Sequence, residues 1–190
     1  MKLRESGMPD ADYWESLFDI PTVIERFGFR GLSGDIAELG CGYGTFTLPV
    51  ARAIDGRVQT FDIDPAMVAL TTDRALEAGC ENVHAATRDV LDEGFGLDPS
   101  SCAAVLLFNI LHGERPVELL QESARVMRPG GFIAVIHWRT DIQTPRGPST
   151  AIRPRPGQIE AWGEAAGLRS KAGAFGLPPW HYGIRLSRDI

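Results

Sequence analysis

The segment at residues 36–46, which reads IAELGCGYGTF, is the feature that most restricts how this chain can fold. It leads from an apolar strand candidate through Gly40, Gly42 and Gly44 into a helix candidate. A tight strand-to-helix turn needs φ angles above zero, and a ligand lying against such a turn leaves no room for a Cβ atom. Amides at the start of the following helix would face that ligand. The segment therefore predicts a ligand-binding turn.

Short apolar runs alternate with longer stretches of helical spacing from about residue 35 onward, a pattern typical of βαβ units. The strand candidates are Asp35–Leu39, Arg57–Phe61, Asn82–Ala86, Ala103–Asn109, Phe132–Trp138, Leu168–Ala172 and His181–Leu186. The helix candidates are Thr45–Ile54, Pro65–Ala78, Pro116–Met127 and Gly157–Ala166. The fourth and fifth strands are nearly continuous apolar runs, as expected where helices cover both faces of a sheet. We therefore predict an α/β fold with a doubly wound parallel sheet.

Two segments outside this pattern allow more than one interpretation. Residues 1–30 contain two short amphipathic helix candidates separated around Asp19 to Pro21. They predict either a helical lid or a helix that covers the sheet edge, beside a Rossmann-like domain at residues 31–190. Residues 139–156 form a long connection rich in Pro, Gly, Thr and Arg, and such connections are often functional or mobile.

Length, charge and cysteine content narrow the class of protein. The 190 residues are enough for one domain. A formal charge of −6 argues against a general nucleic-acid-binding surface, because such a surface needs basic residues to displace counterions. The charged amino-terminal residues and the lack of an apolar run of about 18 residues predict a cytoplasmic chain without a membrane span. Three cysteines without metal-ligand spacing predict neither a disulfide framework nor a metal site.

The glycine turn by itself leaves the bound cofactor open, because dinucleotide-binding dehydrogenases use similar turns. Their GxGxxG fingerprint requires Gly or a small residue at position 45, where this chain has Thr45. A carboxylate at Glu38 would repel a pyrophosphate and attract a cationic ligand. These residues favour a cationic nucleoside, with an NAD-dependent oxidoreductase as the alternative.

The segment around Glu38 and its glycines resembles motif I, E/D-x-G-x-G-x-G, of the class I S-adenosylmethionine-dependent methyltransferases. The resemblance covers about residues 30 to 138, with a weaker tail to 190. It implies a seven-stranded, mostly parallel sheet of order 3-2-1-4-5-7-6 with its last strand antiparallel, in three layers. It also implies S-adenosylmethionine as cofactor, S-adenosylhomocysteine as product, and a small-molecule methyl acceptor. A protein that binds the cofactor without catalysis is the second alternative.

The same resemblance assigns residues to the cofactor beside Glu38 and the three glycines. In QTFDIDPAM, Asp62 matches the acid that accepts both ribose hydroxyls, and Ile63 and Met67 would lie against the adenine. In ATRDVLDEG, Asp89 would accept the adenine amino group and Val90 would donate its backbone amide. The simpler alternatives are surface acids at strand ends for Glu38 and Asp62, and a turn carboxylate for Asp89.

The segment LLFNILHG matches the end of the fourth strand in this family. Asn109 would lie beside the methionine part of the cofactor, and His112 lies where the methyl acceptor would enter. Because a sulfonium methyl is already activated, alignment of the acceptor in line with the methyl–sulfur bond can supply roughly 7–11 kcal/mol. An imidazole serves as a base near neutral pH, so His112 is the candidate catalytic residue.

Several features bear on the acceptor and on partners. The chain lacks the N/D/S-P-P-Y/F/W motif and the Pro-Cys pair of the enzymes that methylate nucleic-acid bases, so we expect no nucleic-acid substrate. Four arginines in residues 139–155 predict either an anionic small-molecule substrate or a solvated loop; they are Arg139, Arg146, Arg153 and Arg155. A homodimer is one arrangement that the sequence leaves open.

Overall fold

Seven strands form a single sheet in the computed structural model, which describes residues 9–188. In chain order the strands are β1 (Asp35–Leu39), β2 (Val58–Asp62), β3 (Val83–Thr87), β4 (Cys102–Phe108), β5 (Met127–Trp138), β6 (Phe175–Leu177) and β7 (His181–Leu186). Their order is β3-β2-β1-β4-β5-β7-β6. Strands β1 to β5 are parallel, and β7 runs antiparallel to both of its neighbours. The predicted fold class and strand order are confirmed.

Helices cover both faces of this sheet and complete three layers. In chain order they are α1 (Ala11–Glu15), α2 (Ile20–Phe27), α3 (Thr47–Ala53), α4 (Pro65–Glu77), α5 (Val90–Glu93), α6 (Pro116–Val126) and α7 (Pro156–Ala165). Helices α2, α3 and α4 contribute to an apolar cluster on one face, here called the α3 face. Helices α5, α6 and α7 contribute to a second cluster on the opposite α6 face. No helix in residues 9–188 is long and apolar enough to cross a membrane.

Strand β4 shows why its sequence is apolar without interruption. Its side chains alternate between the two faces because successive strand residues point in opposite directions. Leu106 and Phe108 belong to the cluster on the α3 face, whereas Val105 and Leu107 belong to the cluster on the α6 face. All seven residues of β4 are buried. A strand covered on both faces gains roughly 1.5–3 kcal/mol for each large apolar side chain that it buries.

The predicted sixth strand at Leu168–Ala172 is wrong. That segment makes only one isolated bridge, between Arg169 and Ser187, and β6 lies further on at Phe175–Leu177. Phe175 pairs with Gly183 of β7, and a Cβ atom on Gly183 would lie 2.5 Å from the Phe175 ring. The absent side chain of Gly183 thus makes room for this ring, a match between distant residues that local hydropathy does not reveal.

The amino-terminal region contains the two predicted helices, of which α2 packs into the core and α1 does not. Helix α2 begins after Asp19, whose carboxylate accepts a hydrogen bond from the Thr22 amide, and ends at Gly28 with a φ of 70°. It buries Val23 and Phe27 in the core. Helix α1 has no buried residue. The part of the predicted lid at residues 1–8 lies outside the described residues.

Candidate functional site

A cavity of about 730 Å³ lies at the carboxyl ends of the central strands, within the range of roughly 300–1,000 Å³ typical of ligand sites. Its walls include residues that follow β1, β2 and β4. Strand order reverses between β1 and β4, and α/β folds of this kind bind ligands outside such a switch point. Nine of the eleven predicted site residues line the cavity: Gly40, Gly42, Asp62, Ile63, Met67, Asp89, Val90, Asn109 and His112.

The glycine turn has the backbone conformation that its sequence predicts. Gly40, Gly42 and Gly44 have φ angles of 85°, 50° and 74°, all in the left-handed region. A side chain at Gly44 would be strained by the left-handed φ. Its Cβ atom would also lie 2.6 Å from Cδ1 of Leu48, which would have to move. Gly44 does not line the cavity and instead shapes the turn into α3.

Asp62 at the end of β2 holds the glycine turn in place. Its Oδ2 accepts a hydrogen bond from the Gly42 amide at 3.1 Å, and its Oδ1 accepts one from the Asp64 amide at 3.0 Å. The Cys41 thiol is a third, weak donor to Oδ2 at 3.8 Å. A carboxylate offers about four lone-pair positions, so one position on Oδ1 remains available to a ligand. The neighbouring thiol of Cys41 has its pKa raised by burial, which keeps it neutral and unsuited to nucleophilic attack.

Glu38 lies beneath the turn and is not among the residues that line the cavity. It is 2% exposed, so the alternative of a surface acid is wrong. Its Oε2 accepts hydrogen bonds from the hydroxyls of Thr47 at 2.6 Å and Thr60 at 2.7 Å. Burial raises its pKa to about 7. The carboxyl group therefore ties β1 to β2 and α3, and direct contact with a ligand stays a prediction.

The side of the cavity beyond β2 and β3 combines apolar and acidic groups. Ile63 is 37% exposed and lines the cavity, where a bound ligand would cover it. Met67 and Val90 add apolar surface to the same cavity. Asp89 caps α5, a helix that the sequence did not predict, by accepting a hydrogen bond from the Leu91 amide at 3.2 Å. The capping contact matches the turn role considered for Asp89.

Asn109 carries the clearest sign of a polar ligand. Its φ of 58° lies in the left-handed region, which is uncommon for a residue other than glycine. Both polar atoms of its side-chain amide are buried and have no hydrogen-bond partner in the structure. Such strain and unpaired polarity are costly and concentrate at functional sites. A polar group of a ligand in the cavity would satisfy this amide.

His112 also lines the cavity, from the loop that follows β4. Its Nδ1 is 3.2 Å from Nε2 of His137 in β5. Burial lowers the pKa of His112, so its imidazole is neutral near pH 7 and can accept a proton. Among residues 9–188, no cluster of three or more potential ligands could hold a metal ion.

Four aromatic residues that the sequence did not mark as functional line the cavity. They are Trp14 of α1, Phe46, Phe108 and Trp138. The rings of Phe46 and Phe108 lie 4.8 Å apart, and those of Trp14 and Trp138 lie 6.4 Å apart, both edge to face. In the sequence these residues belong to apolar runs and resemble core. The position of Phe108 and Trp138 at strand ends is the signal that could have identified them.

Helix α1 is attached beside the glycine turn. The Tyr43 hydroxyl donates a hydrogen bond to the Pro9 carbonyl at 2.6 Å. The Arg74 guanidinium donates to the Tyr43 carbonyl at 2.5 Å and forms an ion pair with Glu15 at 2.7 Å. These contacts hold Trp14 against the cavity, and movement of α1 as a lid stays a prediction.

The four arginines of the connection after β5 have different roles. Only Arg146 lines the cavity. Arg139 is paired with Asp141 at the surface, with 2.6 Å between nitrogen and oxygen. Arg153 is buried, and its guanidinium donates hydrogen bonds to four acceptors, all within the connection. Arg155 directly precedes α7. Most of this positive charge therefore organises the connection itself.

Solved structures with the same fold include several methyltransferases. A SAM-dependent methyltransferase from Aquifex aeolicus is 20% identical over 93% of each chain, with a TM-score of 0.81. A geranyl diphosphate methyltransferase solved in complex with SAM is 14% identical over 96% of this chain and 93% of that one, with a TM-score of 0.74. The cyclase SpnF is 16% identical over 98% of this chain and 85% of its own, with a TM-score of 0.71.

At these identities the structural likeness establishes the fold and leaves the reaction open, because one fold hosts many activities. The sequence itself supplies the assignment. A model of the family described as a methyltransferase domain matches residues 36–131, more than half of the chain, from β1 to the start of β5. The chain therefore belongs to the methyltransferase-domain family and has the fold of the class I S-adenosylmethionine-dependent methyltransferases.

Proposed function

We propose that this protein binds S-adenosylmethionine in the cavity and transfers its methyl group to an apolar small-molecule acceptor. Within a chain of this family, the observation that carries the proposal is the unpaired amide of Asn109, buried in a cavity that also holds Asp62 and the glycine turn. Such a site offers polar partners at two places and an apolar surface between them. That combination suits a ligand with a nucleoside at one end and a charged amino-acid group at the other.

The residues of the cavity fit the cofactor's chemistry. Asp62 keeps a lone pair on Oδ1 for a ribose hydroxyl, and Ile63 and Met67 offer an apolar surface for an adenine ring. A Cβ atom on Gly40 would lie 3.1 Å from Ile110, so the cavity wall has no room for a side chain there.

The protein's contribution to the reaction is positioning, exclusion of water and acceptance of a proton. When bound, S-adenosylmethionine would supply a methyl group already activated on a sulfonium, and its transfer to the acceptor would leave S-adenosylhomocysteine as a neutral thioether. Trp14 and Trp138 provide apolar surface in the wall of the cavity. Neutral His112 takes the proton of a hydroxyl or ammonium acceptor, because burial keeps its pKa below the usual value. Positioning contributes roughly 7–11 kcal/mol in favourable cases.

The aromatic walls of the cavity suggest the acceptor's chemistry. The four aromatic side chains named above favour a substrate with a flat or extended apolar body, since aromatic contacts add to the free energy of burial. Arg146 is the one arginine of the connection that lines the cavity, and a guanidinium suits a carboxylate or phosphate on the substrate. We therefore propose an apolar acceptor, with a single anionic group as the variant to test.

Isothermal titration calorimetry with S-adenosylmethionine and S-adenosylhomocysteine tests the proposal directly. We expect both to bind the wild-type chain, and His112→Ala to bind them with nearly unchanged affinity. Methyl transfer from labelled cofactor would then be measured against a panel of aromatic hydroxyl and amine compounds in carboxylated and neutral pairs. Turnover should fall in His112→Ala. Absence of binding by either compound would overturn the proposal.

Other outcomes of this experiment separate the alternatives. Binding of S-adenosylmethionine without transfer to any acceptor in the panel would favour a cofactor-binding protein without catalysis. Binding of the reduced nicotinamide cofactor in its place would favour an oxidoreductase. Equal rates with carboxylated and neutral acceptors would remove the anionic variant.

A further inference from the structure

His137 in β5 forms a pair with His112 that the sequence did not indicate. Its Nε2 lies 3.2 Å from Nδ1 of His112, and the two rings meet edge to face at 77° with centroids 5.3 Å apart. His137 is fully buried. His112 lines the cavity, whereas His137 does not. Any effect of His137 on a ligand in the cavity must therefore pass through His112.

The surroundings of His137 keep its imidazole neutral. Its side chain lies on the α6 face, beside Tyr182 of β7 at a ring distance of 6.4 Å. The other ionisable groups around it are His112, His181 of β7 and Arg153 of the connection, and all three disfavour positive charge on its ring. Burial is the larger cause, and together they lower the pKa of His137 to about 3.

A neutral imidazole has one N–H donor and one acceptor nitrogen, so only two arrangements of the pair are available. In the first, Nδ1–H of His112 donates to Nε2 of His137, and Nδ1 of His137 carries the other proton. In the second, Nε2–H of His137 donates to Nδ1 of His112, and the proton of His112 is on Nε2. Only the first arrangement leaves Nε2 of His112 able to accept a proton.

The proposed function distinguishes the two arrangements. Nδ1 of His112 faces His137, so the nitrogen of His112 that remains for a ligand is Nε2. His112 can accept a proton there only if its own proton is on Nδ1. Nδ1 of His137 is buried and has no hydrogen-bond partner among the described residues, so it favours neither arrangement. A base at His112 therefore requires the first arrangement.

We propose that His137 is a positioning residue that accepts the Nδ1–H of His112 and thereby keeps the lone pair of His112 on Nε2, available to the methyl acceptor. The proposal rests on the proposed function of the cavity. In the reaction the acceptor's proton moves to Nε2 of His112, and the resulting imidazolium keeps donating through Nδ1 to neutral His137. That hydrogen bond is then charge-assisted, which stabilises the protonated state.

Two-bond proton–nitrogen NMR spectra of the whole chain test the tautomer without any acceptor. His112 should carry its proton on Nδ1 in the wild-type protein and shift toward the Nε2–H form in His137→Phe, which retains a buried ring and removes the acceptor nitrogen. His137→Gln retains an acceptor oxygen and should keep the Nδ1–H form. The exposed His84 of β3 offers a control, since His84→Gln removes one imidazole signal and should leave His112 unchanged.

Two results would overturn the proposal. One is a wild-type spectrum with the proton of His112 on Nε2. The other is an unchanged tautomer in a folded His137→Phe protein. Because the wild-type spectrum is decisive by itself, a His137→Phe protein that fails to fold does not prevent the test.

A kinetic measurement uses the acceptor that the panel identifies. His137→Phe should lower kcat by roughly tenfold or more, within the contribution usual for a general base, with little change in KM or in cofactor affinity. His137→Gln should recover part of the loss, and the acid limb of the pH–rate profile should move in His137→Phe.

If the predicted tautomer is found but S-adenosylmethionine does not bind, the proposed function fails and the geometry of the pair stands. If the cofactor binds and the tautomer is reversed, only the positioning role fails.

Discussion

Replacing Glu38 with Gln should change how the stability of this protein depends on pH. The carboxyl group is 2% exposed and accepts hydrogen bonds from Thr47 and Thr60 through one oxygen. Burial raises its pKa from the ordinary 4.5 to about 7. Gln has nearly the same shape, and its amide oxygen can accept the same two hydrogen bonds. The substitution therefore removes the ionisation and little else.

The sign and size of the effect follow from the two pKa values. Because the pKa is higher in the folded chain than in the unfolded one, the neutral carboxyl favours folding at low pH. That stabilisation is lost as the pH rises from about 4.5 through 7. At about 1.4 kcal/mol for each pH unit, the difference between 4.5 and 7 corresponds to about 3 kcal/mol. Most of this loss lies between pH 5 and pH 8.

Urea unfolding of both proteins at pH 5 and pH 8, followed by tryptophan fluorescence, measures this difference. The free energy of unfolding of Glu38→Gln, taken relative to that of the wild type, should be about 2–3 kcal/mol higher at pH 8 than at pH 5. The buried histidines contribute equally to both proteins, so their titration cancels in the comparison. Parallel stability curves for the two proteins would refute the reasoning, because they would mean that Glu38 ionises as easily in the fold as in water.

Three further predictions concern other parts of the molecule. Asp62→Asn should weaken binding of S-adenosylmethionine roughly tenfold or more in calorimetry, because hydrogen bonds to a charged group contribute about 1.5–3 kcal/mol. As a control, Asp73 is exposed, and Asp73→Asn should leave binding unchanged. Burial lowers the pKa of both His137 and His181 to about 3. Protonation of the unfolded chain below about pH 6.5 should therefore reduce the free energy of unfolding by up to about 1.4 kcal/mol per histidine and pH unit. His181→Phe should make this pH dependence shallower in thermal melts, and an unchanged dependence would contradict the assignment. Phe27 is fully buried, and Phe27→Ala should cost about 3–5 kcal/mol in urea unfolding, against a smaller loss for Phe27→Leu; a loss below 1 kcal/mol would place this ring outside the core.

The pattern of apolar runs and glycines was sufficient for the fold class and for a ligand-binding turn, and the resemblance to the methyltransferase family supplied the strand order. The glycine turn at residues 40–44 requires left-handed backbone angles, and this requirement is a local property that a few residues express completely. The nearly continuous apolar run of β4 predicts cover on both faces for the same reason. Asp62 follows from its place at the end of the neighbouring strand, since parallel strands end at one edge of the sheet.

The tertiary structure decided which side chains meet. It turned Glu38 toward Thr60 and away from the cavity, paired His112 with His137, and brought Trp14 of α1 to Trp138 of β5. It also placed β6 at Phe175–Leu177, where a ring fills the space above Gly183. Each of these contacts joins residues that are distant in the chain and depends on strand register and helix packing. Periodicity and turn chemistry report only on neighbours in sequence, so they cannot specify such pairs.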